Sequence, residues 1–212
     1  MMRLRVQPTE KRRLFDTSAW REWPYVYFVA GLFTTGLGIF IPIWYIQTYA
    51  TQKSDISNDA ASYLITILNS GAVAGRILPN FMSDKVGSLN MITPCTIIAG
   101  ILFFCWTKLS TQTSIIAFAV LYGFFSAAIV SLAPVGFVSL TPQLSSIGTR
   151  MGMGFAVMGF GLLIGPPVGG QILSSHGYVA LQAFGASALI VGGICMSFAR
   201  ISKVGRKIRV AT

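Results

Sequence analysis

The stretch SYLITILNSGAVAGRILPNFMSDKVGSLN, residues 62 to 90, carries the groups of this chain best suited to chemistry. Arg76 is an ionised side chain set inside an apolar run, where insertion into hydrocarbon costs at least ~2.5–3.5 kcal/mol. Such a residue must face protein, water or headgroups. Asn69, Ala72, Arg76, Asn80 and Ser83 recur at steps of three and four, which lays them along one side of a helix as a polar stripe. A planar guanidinium between the Asn69 and Asn80 amides can hold a carboxylate through paired hydrogen bonds in a wet cavity. The same side chain can instead snorkel to headgroups about two turns away, or form a structural ion pair. The run then ends on Asp84, Lys85, a spacer and Gly87. A carboxylate at a helix C-terminus opposes the helix dipole, so Asp84 is expected either to meet a partner on a neighbouring element or to sit solvated in the turn.

Nothing else in the chain assembles a reactive constellation. Cys95, Cys105 and Cys195 lie in apolar runs with no CxxC pair, and His176 stands alone in a Ser-Ser-His-Gly turn. They predict neither a disulfide framework nor a metal centre. GFGLLIG, residues 159 to 165, looks like a dinucleotide loop, but no strand precedes it and no acidic residue follows at the required distance. With no acidic pair and no GxxxxGK[ST] loop, no cofactor is expected and an enzyme is not.

These residues sit in a strongly apolar chain. Of 212 residues 53% are hydrophobic and 10% charged, with a mean hydropathy of +0.67, against about a quarter charged in a soluble domain. Six segments reach the ~20 apolar residues that a bilayer crossing needs: roughly 24–49, 60–83, 91–109, 112–140, 148–174 and 178–200. The expected fold is an all-α membrane protein with six transmembrane helices. A basic segment, 1–23, precedes the bundle of 24–200, and a basic tail, 201–212, follows it. Asn58 and Asp59 suit the start of the second span, and Gly87 with Ser88 suits a tight turn after it.

Six crossings put both ends on one side, and the basic residues choose which. Arg3, Arg5, Lys11, Arg12, Arg13 and Arg21 precede the first span; Arg200, Lys203, Arg206, Lys207 and Arg209 end the chain. With Arg76, Lys85 and Arg150 on the same side, only Lys53 and Lys108 remain opposite, so both termini are expected in the cytoplasm. The +10 net charge is therefore topological, and no nucleic-acid partner is expected; the lipid bilayer is. Trp20, Trp23, Trp44 and Trp106 fall near span ends, as an interfacial aromatic belt would have them.

The fifth span, GTRMGMGFAVMGFGLLIGPPVGG, holds eight glycines between Gly148 and Gly170. Gly161, Gly165 and Gly169 share a face on which another helix backbone can come close. Pro166 and Pro167 are expected to interrupt this helix and free carbonyls, as in broken helices along transport pathways or in simple packing kinks. Pro134 and Gly136 give the fourth span a similar weak point.

Residues 62–90, with Arg76-x-x-Pro79 and the Asp84-Lys85-x-Gly87 hairpin, resemble the second helix of the C-terminal half of a major facilitator superfamily transporter. The nearest likeness is to the fungal monocarboxylate-transporter-like group, and GFGLLIGPPVGG resembles that group's fifth helix. The resemblance covers essentially the whole chain and implies half of a twelve-helix fold, with residues 1–23 resembling the central loop between halves. Either the chain is a truncated product lacking its N-terminal half, the reading favoured here, or a second copy completes it. The resemblance further implies alternating access for a small organic anion, with Arg76 as the carboxylate partner and Asp84, Lys85 and Gly87 as the cytoplasmic gating hairpin. Gly161, Gly165, Pro166, Pro167 and Gly169 would shape the moving helix. Animal carriers of this type place an aspartate one turn before the arginine, where this chain has Ala72, so proton coupling stays open. Riboflavin or another organic solute is an alternative cargo, and a non-transporting membrane fragment or assembly partner is an alternative role. The plasma membrane is the expected location, with the vacuole or another internal membrane as alternatives.

Overall fold

The computed structural model describes residues 15–53 and 58–204, and among them all regular structure is helical. A 3₁₀ turn, Ala19–Arg21, precedes α1 (Trp23–Ile39) and α2 (Ile41–Lys53); α3 (Asn58–Val86), α4 (Ser88–Trp106) and α5 (Gln112–Leu140) follow, and after a second 3₁₀ turn, Leu144–Ser146, comes α6 (Ile147–Val204). Five helices, counting α1 with α2 as one, are long and apolar enough to cross a membrane. Most of the two basic segments and the side chains of Asn58 and Asp59 lie outside the described residues.

Local sequence accounts for the punctuation. Pro24 in the first turn of α1 gives up only an amide that has no helical partner there. Gly87, at φ 96° and ψ 141°, joins α3 to α4 in a single residue, a backbone conformation open to glycine. The Thr111 hydroxyl caps α5 by accepting from the Ser114 amide. The first apolar run is less regular than its composition suggests. It breaks at Phe40, where Pro42 offers no amide to the turn before it. The Tyr122 hydroxyl donates to the Ile39 carbonyl at 2.8 Å, giving the break the internal partner that hydrocarbon cannot supply.

α6 is 58 residues, or about 87 Å at 1.5 Å per residue, far more than a bilayer is thick. It folds back on itself. Gly177, at φ 80° and ψ −176°, is its only non-helical residue, and α1 lies against both arms. Gly36 meets Met158 and Leu162 of the first arm, while Gly38 meets Gly185 and Gly31 meets Gly192 of the second. Along α1, Phe33 and Leu37 meet Gly161 and Gly165 of the first arm, whereas Gly31 and Gly38 meet Gly192 and Gly185 of the second, so the arms are antiparallel. The expected interruption at Pro166 and Pro167 is not where the chain breaks: both stay inside helical backbone, and the Tyr45 hydroxyl reaches the Pro166 carbonyl at 3.3 Å. Pro134 likewise lies within an unbroken α5.

Aromatic side chains fill the core. Phe28 packs edge-on against Phe137 at 5.0 Å between ring centres, and Trp106 lies against Tyr49, Phe103 and Phe118. Trp106 is therefore fully buried and takes no part in an interfacial belt, whereas Trp20, Trp23 and Trp44 are exposed.

Candidate functional site

The rotation of α3 is set by what it buries. Gly71 and Gly75 lie so near α5 that a Cβ on them would come within 2.3 Å of the Val120 carbonyl oxygen and 2.0 Å of that of Phe124; from the other side, one on Gly123 would meet the Leu68 carbonyl at 2.0 Å. Backbones at this separation permit only glycine at the seam. The neighbouring Arg76 is thereby turned to the edge of the seam, and the rest of α3 faces outward. Only 33% of its apolar window is buried, against 50–56% for the other four spans.

The sequence-derived stripe straddles that edge. Ala72 and Ser83 are buried toward α5, Asn80 is half-buried, and Asn69 and Arg76 are exposed. The Asn80 amide donates to the Ser131 hydroxyl at 2.9 Å and to the Arg76 carbonyl at 2.5 Å, which ties it to α5 and to its own helix. Among the described residues the Arg76 guanidinium has neither an ion-pair nor a hydrogen-bond partner. Its planar fork of donors is free, on the same open face as Asn69. Tyr63, Val73, Ile77 and Phe81 surround this edge with exposed apolar area.

The hairpin residues sit together at the end of α3. Lys85 lies over the Phe81 ring, 5.3 Å from its centre. Asp84 is exposed and forms no ion pair among the described residues. A cavity of about 380 Å³ opens beside it, lined by Ser83, Asp84, Ser88, Val135, Val138 and Ser139. Asp84 thus borders a recess between α3, α4 and α5 and meets no cation among the described residues.

The first arm of α6 uses its glycines against α1. A Cβ on Gly161 would lie 2.4 Å from the Phe33 carbonyl oxygen, and one on Gly165 2.2 Å from that of Leu37. Gly169 meets side chains, those of Leu181 and Ile41. Pro166 and Pro167 continue the same arm, with Phe160, Leu163 and Ile164 exposed on its other side.

Arg150, which the sequence offered only as one more topological cation, is the most elaborately bonded side chain described. It is 4% exposed. Its Nη1 and Nη2 donate to the two Glu22 carboxylate oxygens at 2.8 and 2.6 Å, its Nε donates to Asp16 at 2.8 Å, and Nη2 reaches the Ser18 hydroxyl at 3.4 Å. Its carbonyl accepts from the Tyr25 hydroxyl at 2.8 Å. The Ser18 hydroxyl and, after it, the Arg150 guanidinium hold the Asp16 carboxyl below the usual aspartate range. The available signal was that Asp16 and Glu22 flank the first span within seven residues, and Arg150 opens the fifth.

Comparison with known proteins places this geometry. The sequence pattern of the Major Facilitator Superfamily matches residues 25–210. The MFS-type transporter dbaD of Emericella nidulans is 38% identical over 202 residues, covering 94% of this chain and 46% of that protein. The aspyridones efflux protein apdF of the same fungus is 37% identical, over 88% of this chain and 38% of its own length. The agnestins efflux protein AgnL12 of Paecilomyces divaricatus is 33% identical, over 83% and 40%. The chain thus spans about half the length of the curated relatives it matches. The crystal structure of the Escherichia coli fucose:proton symporter FucP shares the fold with a TM-score of 0.71 at 16% identity, over 92% of this chain and 47% of that one. With the family's sequence pattern running through α1 to the end of α6, and a transporter's fold laid over the same helices, this chain belongs to the Major Facilitator Superfamily.

Proposed function

We propose that the chain is the C-terminal, six-crossing half of a secondary transporter for organic anions, of the monocarboxylate-transporter-like kind, working by alternating access in the fungal plasma membrane. The six crossings are α1 with α2, then α3, α4, α5 and the two arms of α6. The end that carries Asp16, Gly87, Arg150 and Lys203 faces the cytoplasm, because Lys53 and Lys108 are the only basic residues at the other end. The names of two relatives, efflux proteins for aspyridones and for agnestins, favour export of an organic product over uptake of a nutrient.

The observation that carries this reading is the free guanidinium of Arg76 on the open edge of α3. A charge unpaired within its own half fits a partner that arrives from outside it, and a carboxylate matches its fork. Asn69 stands one and a half to two turns away on the same face, and Asn80, held by Ser131, supports the helix on the other side of Arg76. The hairpin of Asp84, Lys85 and Gly87 closes the cytoplasmic side. The first arm of α6, with Gly161, Gly165, Pro166, Pro167 and Gly169, moves against α1. The remaining wall comes from an N-terminal half, or from a second copy of this chain.

Transport of labelled monocarboxylates by cells expressing the full-length transporter, with Arg76 intact or as Arg76→Ala, tests the assignment. Loss of anion transport with normal membrane insertion is expected. Unchanged transport by Arg76→Ala would instead assign that side chain to the headgroups.

A further inference from the structure

We infer that the foot preceding α1, residues Phe15 to Trp23, together with the adjoining end of α6, is a docking surface for anionic phospholipid headgroups. The foot separates its side chains by chemistry. Asp16 and Glu22 turn inward onto Arg150, and Ala19 is fully buried beneath. Phe15, Trp20 and Trp23 turn outward at 74%, 45% and 67% exposure, with Arg21 exposed between the two indoles. Indoles at the first turn of a membrane span sit at headgroup depth. A guanidinium held there meets lipid phosphate before it meets bulk water.

The second half of the surface comes from the other end of the bundle sequence. Tyr27 and Phe198 lie 5.9 Å apart between ring centres, which sets the last turns of α6 beside the first turns of α1. Arg200 bonds the Asn90 side chain and Lys203 the Ser139 carbonyl. Each uses one donor there and keeps others, since a guanidinium has five and an ammonium three. Because Arg150 engages both acids of the foot, Arg21 has no acidic partner among the described residues. The sequence that adjoins the foot holds Arg3, Arg5, Lys11, Arg12 and Arg13 against one acid, Glu10; the sequence that follows α6 adds Arg206, Lys207 and Arg209 and no acid. Charge of one sign, next to exposed indoles at a span boundary, is complementary to anionic lipid, at about 1 kcal/mol per basic residue near the surface. This binding requires neither substrate nor transport, so it stands or falls apart from the function proposed above.

The test uses the full chain in lipid nanodiscs, in a Trp44→Phe background so that accessible tryptophan emission comes from the foot. Brominated phosphatidylserine or brominated phosphatidylcholine is included at equal low mole fraction in phosphatidylcholine. Stronger quenching by the serine lipid is expected, by severalfold at low salt and fading as salt rises. In Arg21→Gln/Arg200→Gln/Lys203→Gln, the preference should fall most of the way to equal quenching by the two lipids, since three basic charges near the surface are gone. Equal quenching by the two lipids in the parent protein would overturn the inference. So would an undiminished preference in the triple variant, which would place the attraction in the flanking basic segments alone. If that variant does not fold, the salt dependence of the parent decides: preference unchanged up to molar salt would refute a charge-based surface.

Discussion

Arg76 and Arg150 are the same residue in opposite circumstances. Arg150 is buried, and three acceptors, a bidentate Glu22, Asp16 and Ser18, take up its donors within this chain. Arg76 is exposed at the edge of a glycine seam and meets none among the described residues. A cation with three donors on fixed carboxylates and a fourth contact to a hydroxyl has little left with which to bind a travelling solute; it fastens elements together. A cation kept free by tight backbone packing around it has its full capacity in reserve. The difference separates an arginine that fastens this chain from one left free among the described residues, and it can be broken from either side.

The largest expected effect is on transport. Arg76→Ala in the full-length transporter should lower anion transport by about tenfold to a hundredfold, the equivalent of losing a charged hydrogen bond worth roughly 1.5–3 kcal/mol. The thermal midpoint of the purified protein should stay within about a degree, because Arg76 has no partner here to lose. Arg76→Lys should recover only part of the transport, since an ammonium cannot offer a bidentate fork. A matching fall in thermal stability would show that Arg76 is a structural residue, and the contrast with Arg150 would collapse.

Arg150→Gln should do the reverse. Breaking a fully buried pair costs roughly 3–5 kcal/mol; here Asp16 and Glu22 keep some water, at 20% and 38% side-chain exposure, so about 2 kcal/mol is expected. Thermal unfolding in detergent and protease cleavage near residue 15 read the loss. A midpoint equal to that of the parent would mean that the foot is held by Ala19 and Tyr25 packing and not by charge.

A third expectation concerns the seam that turns Arg76 outward. Gly75→Ala places a Cβ where the Phe124 carbonyl oxygen now sits 2.0 Å away, so α3 and α5 must part, at about 1–3 kcal/mol. Ala74→Leu, on the exposed side of α3, should change stability by no more than about 0.5 kcal/mol. Cross-linking of cysteine pairs between α3 and α5 would register the separation. Equal stability for the two variants would mean that the seam does not set the helix rotation.

What the sequence made legible follows from which interactions are local. The long apolar helices, the Gly87 turn and the lack of a local partner for Arg76 all depend on residues close in the sequence. Arg150 escaped because its partners lie 128 and 134 residues away, and nothing local distinguishes a buried guanidinium from a flanking one. Trp106 escaped for the same reason: Tyr49 and Phe118 cover it from other helices. The stripe of α3 was legible as a spacing but not as an orientation. Asn80 and Ser83 share it with Arg76, yet the approach of α5 at Gly75 decides that they turn inward and Arg76 does not. Pro166 and Pro167 misled because the proline rule concerns lost amides, whereas a break also requires somewhere for the chain to go. Gly177, able to adopt φ 80°, provides that ten residues later.

The smallest effect expected is one of pH, and it falls on the Arg150 side of the comparison. Asp16 has its carboxyl lowered from the ordinary 3.8, by the Ser18 hydroxyl first and Arg150 next, so the folded protein binds that proton less readily than the unfolded chain. The stabilisation is complete above the unfolded value and disappears as pH falls through the folded one. The foot should therefore stay fastened from pH 8 down to about 5 and loosen only below about 4. Emission from Trp20, whose ring stands edge-on to Tyr25 at 5.8 Å, reports this in the Trp44→Phe background: flat across the neutral range, changing in acid, with the acid step reduced in Asp16→Asn. A transition near pH 6 would contradict it.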